Sequence, residues 1–89
     1  MASAKDVAEY MMRCLKKERF LYQEIIVYKI KDDFGDEFVY INQNGNLAIN
    51  KRVLTEFRKL TEGKVVWDRG QGLWRKRESY DPPNRRQVD

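Results

Sequence analysis

Histidine is absent from this sequence, cysteine occurs once and proline twice among 89 residues. Each shortage excludes something. Without histidine the commonest acid–base and metal-binding side chain is missing. No glycine-rich phosphate loop and no carboxylate pair at catalytic spacing stands in for it, so an enzyme is not expected. The cluster "DDFGDE" lacks the alternating ligand spacing of a calcium loop and reads as a solvated helix end and turn, so neither a metal nor a cofactor is expected. The lone Cys14 rules out an intramolecular disulfide, and its place in a helical pattern makes it a small buried hydrophobe rather than a reactive thiol. No apolar run approaches the roughly 18 residues that a bilayer span requires, and the N-terminus lacks the apolar stretch of a secretory signal. The expectation is a cytoplasmic protein with no membrane association.

What is present fits one small folded domain. Apolar residues make up 42 % of the chain and charged residues 36 %, a balance that separates it from disordered sequences. A chain this short buries only a little over about 60 % of the surface its unfolded form exposes, so the core must be compact. The charge is unevenly spread. Residues 1–45 carry seven Lys/Arg against eight Asp/Glu, and residues 46–89 carry eleven against six, which gives −1 and +5. An excess of positive charge confined to one half points to an acidic partner, nucleic acid first among them.

Residues 3–17 predict an amphipathic helix. Ser3 is placed as its cap, Asp6 sits in the first turn, and Val7, Ala8, Met11, Cys14 and Leu15 fall along one side. Phe20–Tyr22 reads as a short extended stretch. "QEIIVYKIKDDFG" is rich in β-branched residues and has strand character, but Ile26, Ile30 and Phe34 recur every four residues and Gly35 stands at a C-cap position, which favours a helix. Asn44-Gly45 predicts a two-residue type I′ hairpin turn that puts Tyr40, Leu47 and Ile49 on one face. Asn50 then caps "KRVLTEFRKLTE", whose Val53, Leu54, Phe57 and Leu60 form an apolar stripe ended by Gly63. In "KVVWDRGQGLWRKR", residues 64–77, a turn at Gly70-Gln71 sets Trp67 across from Trp74 with Val65 on the same face, and we expect both indoles to be largely buried. "SYDPPNRRQVD" has two prolines and no periodicity, and residues 79–89 are expected to be a flexible tail.

This order of elements over residues 3–78 resembles a winged-helix domain: helix, extended stretch, helix, turn region, helix, hairpin. It is also similar to small bacterial domains of uncharacterised function with a late tryptophan hairpin and a basic C-terminal end. The resemblance implies an α+β fold, a winged-helix-like domain over residues 1–78 with three helices and a C-terminal β-hairpin. "NKRVLTEFRKL" would be its recognition helix and "KVVWDRGQGLWRKR" its wing. The fifteen residues "DEFVYINQNGNLAIN" depart from the tight turn that usually joins the second and third helices.

Two binding functions follow. In one, Lys51, Arg52, Arg58 and Lys59 on the last helix and Arg69, Arg75 and Arg77 on the hairpin contact the phosphates of double-stranded DNA, with Thr55 the candidate for base contact. In the other, the same shape is a protein-interaction module with an acidic protein partner. A positive surface running without a break from helix to hairpin favours DNA, whereas interleaved carboxylates or an exposed apolar groove favour protein.

Overall fold

A computed structural model of the chain describes residues 2–78 and 87–88. Helix α1 (Ala4–Glu18) begins at a capping box in which the Ser3 hydroxyl accepts from the Asp6 N–H (3.2 Å) and the Asp6 carboxylate accepts from the Ser3 N–H (2.9 Å). The bond from the Ser3 N–H first, and the Ser3 hydroxyl beside the carboxylate second, favour the ionised acid and hold the Asp6 carboxyl below its usual range. Val7, Ala8, Met11 and Leu15 are buried, whereas Cys14 is only half-buried against the core. The helix stops at Arg19, which takes φ 71° without being glycine and donates its N–H to the Leu15 carbonyl at 2.8 Å.

Strand β1 (Phe20–Tyr22) follows at once, and helix α2 (Gln23–Phe34) after it. The four-residue recurrence prevails over β-branched propensity because Ile26, Val27 and Ile30 all reach the core from one side of a helix. No side chain caps α2; instead the Gln23 N–H donates to the Gly72 carbonyl at 3.0 Å, fastening its start to a distant loop. Gly35 closes it at φ 88°. Where α1 meets this end, Tyr10, Phe34 and Phe38 form successive edge-to-face pairs, with centroids 5.3 and 6.3 Å apart. Burial there pushes the Tyr10 phenol well above its ordinary value, and a hydrogen bond to the Asp33 carboxylate acts the same way.

A single 3₁₀ turn (Asp36–Phe38) leads into strands β2 (Val39–Ile41) and β3 (Leu47–Ile49). Their register differs by one residue from the type I′ expectation: Tyr40 pairs with Ala48 and Val39 with Ile49. The cause is the Asn42 side chain. Its Oδ1 accepts from the N–H groups of both Asn44 and Asn46 at 3.0 Å, and the Asn42 N–H donates to the Asn46 carbonyl, so five residues form the loop rather than two. Gly45 supplies the one positive φ, 80°. A slip of one exchanges faces, so Ile49 goes to the core with Val39, Ile41 and Leu47 on its side, and Tyr40 lies on the other.

Helix α3 (Lys51–Thr61) packs along α1, with Val53, Phe57 and Thr61 buried. Strands β4 (Val65–Asp68) and β5 (Leu73–Lys76) then form the expected hairpin, with Trp67 paired to Trp74. The turn differs from the expected one at Gly70-Gln71. Four residues, Arg69–Gly72, connect the strands, the Gly72 N–H donates to the Asp68 carbonyl (2.8 Å), and the positive φ belongs to Gly72, at 69°. The buried Asp68 carboxylate organises this loop by accepting from the Gln71 backbone N–H (3.2 Å) and side-chain amide (3.1 Å). Register survives because the added residues fall symmetrically about the predicted turn.

Strand β1 pairs antiparallel with β5, and β6 (Gln87–Val88) pairs parallel with β4, giving the order β1-β5-β4-β6. The expectation of a tail over residues 79–89 otherwise falls outside the described residues. The result is a mixed α+β domain whose core lies among the three helices and one face of this sheet. Each fully buried aliphatic side chain there contributes roughly 1.5–3 kcal/mol. Among the described residues no helix is long and apolar enough to cross a membrane.

Candidate functional site

Paired residues in an antiparallel sheet point to the same side, and the side alternates along each strand. The register therefore puts Leu21, Val65, Trp67, Trp74 and Lys76 on one face, and Phe20, Tyr22, Val66, Leu73 and Arg75 on the other. Helix α3 stands over the first face, where Phe57 meets Trp74 edge-to-face at 5.3 Å and Trp74 lies against Trp67 at 4.6 Å, tilted by 49°. Both indoles are more covered than exposed, as expected, though neither is fully buried, and Trp74 packs against the core. Phe57 stacks edge-to-face on Trp74, whereas the ring neighbour of Trp67 is Trp74 itself.

The outward side of α3 follows from its inward side. With Val53, Phe57 and Thr61 turned to the core, Lys51, Arg52, Thr55, Arg58 and Lys59 are left exposed on one strip. Asn50 starts the helix by accepting from the Arg52 N–H at 2.8 Å. Lys59 pairs with Glu56 at 3.1 Å, which offsets one of the strip's charges, and the Thr55 hydroxyl donates to the Lys51 carbonyl at 3.0 Å. The first turn of α3 has no acidic residue, in contrast to Asp6 in α1 and Glu24 in α2.

The hairpin cations divide. Arg69 is exposed on the loop. Arg75 and, by continued alternation through its N–H bond to the Lys64 carbonyl (2.9 Å), Arg77 project from the face away from the tryptophans, and both are half-buried. The structure thus gathers Lys51, Arg52, Thr55, Arg58 and Lys59 but does not bring Arg75 and Arg77 to their side. Lys76, not singled out from the sequence, is the exposed cation on the tryptophan face.

Between strip and hairpin lies a groove of about 370 Å³, walled by Leu54, Phe57, Val65, Trp67 and Trp74. Arg58 and Glu62 stand at its rim, and the buried Thr61 hydroxyl at its floor donates to the Phe57 carbonyl at 2.8 Å. Sequence reasoning missed the groove. Its signal is the spacing of Leu54, Arg58 and Glu62, four residues apart along one edge of α3 beside the inward stripe.

This arrangement can hold an anion chain along α3 by charge, or an apolar side chain in the groove by contact with indole. Among the described residues no group of three or more His, Cys, Asp or Glu side chains is placed to hold a metal ion. Neither a curated protein nor a solved structure matches the chain. The profile of a family of unknown function, DUF6953, matches residues 3–76, from the Ser3 cap of α1 to the last residue of β5. With every described helix and the β4–β5 hairpin inside that stretch, the chain belongs to the DUF6953 family.

Proposed function

We propose that this domain is a winged-helix-like binding module, without chemistry of its own, that engages the phosphate backbone of duplex DNA through α3. The observation that carries the reading is the first turn of that helix. Lys51 and Arg52 sit at the positive end of the helix dipole, where cations are unfavourable and an acidic residue would stabilise the fold. An anionic partner reverses that balance, because phosphate oxygens favour both the dipole and the two side chains. Arg58 and Lys59 continue the positive strip by two further turns. Thr55, its hydroxyl hydrogen directed to Lys51, presents lone pairs suited to the exocyclic amino groups of adenine or cytosine.

Two observations, the apolar groove and the carboxylates of Glu56 and Glu62 among the cations, favour a second reading, a protein partner. The aromatic groove interrupts the positive surface between α3 and the hairpin, and its rim carries Glu62 beside Arg58. Such a groove suits a polypeptide with an apolar anchor and acidic neighbours. Titration with a nonspecific DNA duplex, followed by amide and indole resonances, separates the two. The DNA reading expects shifts at residues 51–59 with the Trp67 and Trp74 indole signals left nearly in place. An absence of shifts at low salt would leave the groove as the working surface.

A further inference from the structure

We infer that the outer side of α2, together with edge strand β1, is a self-association face whose occupant is a second copy of this chain. Over its first two turns helix α2 is apolar on two sides, before the exposed Asp32 follows on the outer one. Ile26, Val27 and Ile30 fill the core, and on the opposite side Ile25 and Tyr28 are 53 % and 58 % exposed. A helix apolar on more than one side belongs between two layers, and the monomer supplies one. Phe20 and Tyr22 on β1 are likewise 48 % and 40 % exposed.

These side chains form one surface. Phe20, Tyr22 and Ile25 line a depression of about 360 Å³, and Ile25 also lines the neighbouring one with Tyr28. None of the four belongs to α3 or lines the tryptophan groove.

Area and charge select the occupant. At roughly 150–250 Å² for a large aromatic side chain, with about half of each exposed, the four side chains offer roughly 400 Å² per copy. That is about half of the roughly 800 Å² per partner in a standard interface, so side chains around the two depressions have to supply as much again. The rim of the depression carries one carboxylate, Glu18, and one ammonium, Lys29, and neither has an ion-pair partner among the described residues. A two-fold axis through the patch sets Glu18 of each copy toward Lys29 of the other, so one patch carries both halves of a complementary pair. It also carries both the protruding Tyr28 ring and a depression open enough to receive a ring. The pairing leaves the α3 strip uncovered on both copies and doubles it.

Sedimentation velocity of the full chain over a range of concentrations tests this. The expected result is a concentration-dependent rise toward twice the 10.7 kDa mass of one chain. Tyr28→Glu and Ile25→Glu, both at exposed positions, should abolish that rise with the circular dichroism unchanged. Glu18→Lys and Lys29→Glu should each weaken association, and the two together should restore it. A protein that stays monomeric throughout, or a dimer indifferent to both Tyr28→Glu and Ile25→Glu, overturns the inference. Failure of the combined charge exchange to restore association overturns the two-fold pairing.

Discussion

Reversing the two charges at the start of α3, in the variant Lys51→Glu/Arg52→Glu, should raise stability and weaken duplex binding at once. A charge in the first turn of a helix changes stability by about 0.3–1 kcal/mol at low ionic strength, so replacing a cation with an anion counts the effect twice. Both residues are exposed, which favours the low end and gives about 1.2 kcal/mol for the pair. Against this, residue 52 stands four before Glu56, and an i,i+4 attraction becomes a repulsion costing a few tenths of a kcal/mol. The net gain is about 1 kcal/mol, or roughly 4–8 °C in Tm for a domain of this size. The Asn50 cap is untouched, since it accepts from the backbone N–H of residue 52. Thermal melts followed at 222 nm in low salt read the gain, which should shrink as salt screens it. Fluorescence anisotropy with a labelled duplex reads the loss. A variant no more stable than its parent, with duplex affinity unchanged, would refute the reasoning, for then neither the dipole nor a phosphate senses these cations.

Three other outcomes follow from the packing. Trp74→Ala should cost about 2–3 kcal/mol and Trp67→Ala about 1–2 kcal/mol in urea titrations, below the usual fully buried range because both indoles are half-buried, and in that order because only Trp74 touches Phe57. Equal costs for the two would contradict the groove geometry. Arg19→Gly should stabilise by about 0.5–1 kcal/mol, the relief of a positive φ less the greater backbone entropy of glycine, and a loss of stability would show that Arg19 is not strained. Asp6, with its folded pKa depressed below 3.8, contributes stability that is present above that pH and lost as pH falls through the lower folded value. Asp6→Asn should therefore lower Tm at neutral pH and converge with the parent in acid; a constant difference across pH would contradict the capping box.

Much of the fold was legible because local signals and packing agree. The cap of α1, the apolar stripe of α3 and the Trp67–Trp74 pairing all combine a period with a terminator, and the structure keeps each. The losses fall where one side chain competes with backbone geometry. Asn44-Gly45 carries the signal of a two-residue turn, but the Asn42 carboxamide offers two bonds at once and lengthens the loop, moving Tyr40 off the face it was expected to share with Ile49. Asp68 acts similarly at the second hairpin. The basic strip of α3 was readable because a helix face repeats on a fixed angle. That Arg75 and Arg77 stand on the face away from the tryptophans follows from the alternation of a strand, whereas the groove between α3 and the hairpin depends on how α3 sits over the sheet, which no local pattern encodes.

The central claim, that α3 meets DNA through its phosphates, is tested most directly by the affinity for a nonspecific duplex as a function of salt. Lys51, Arg52, Arg58 and Lys59 offer at most four phosphate contacts, one of them shared with Glu56, so log affinity against log salt should have a slope of about −3 to −4. A slope near zero, or no association at low salt, would contradict the claim.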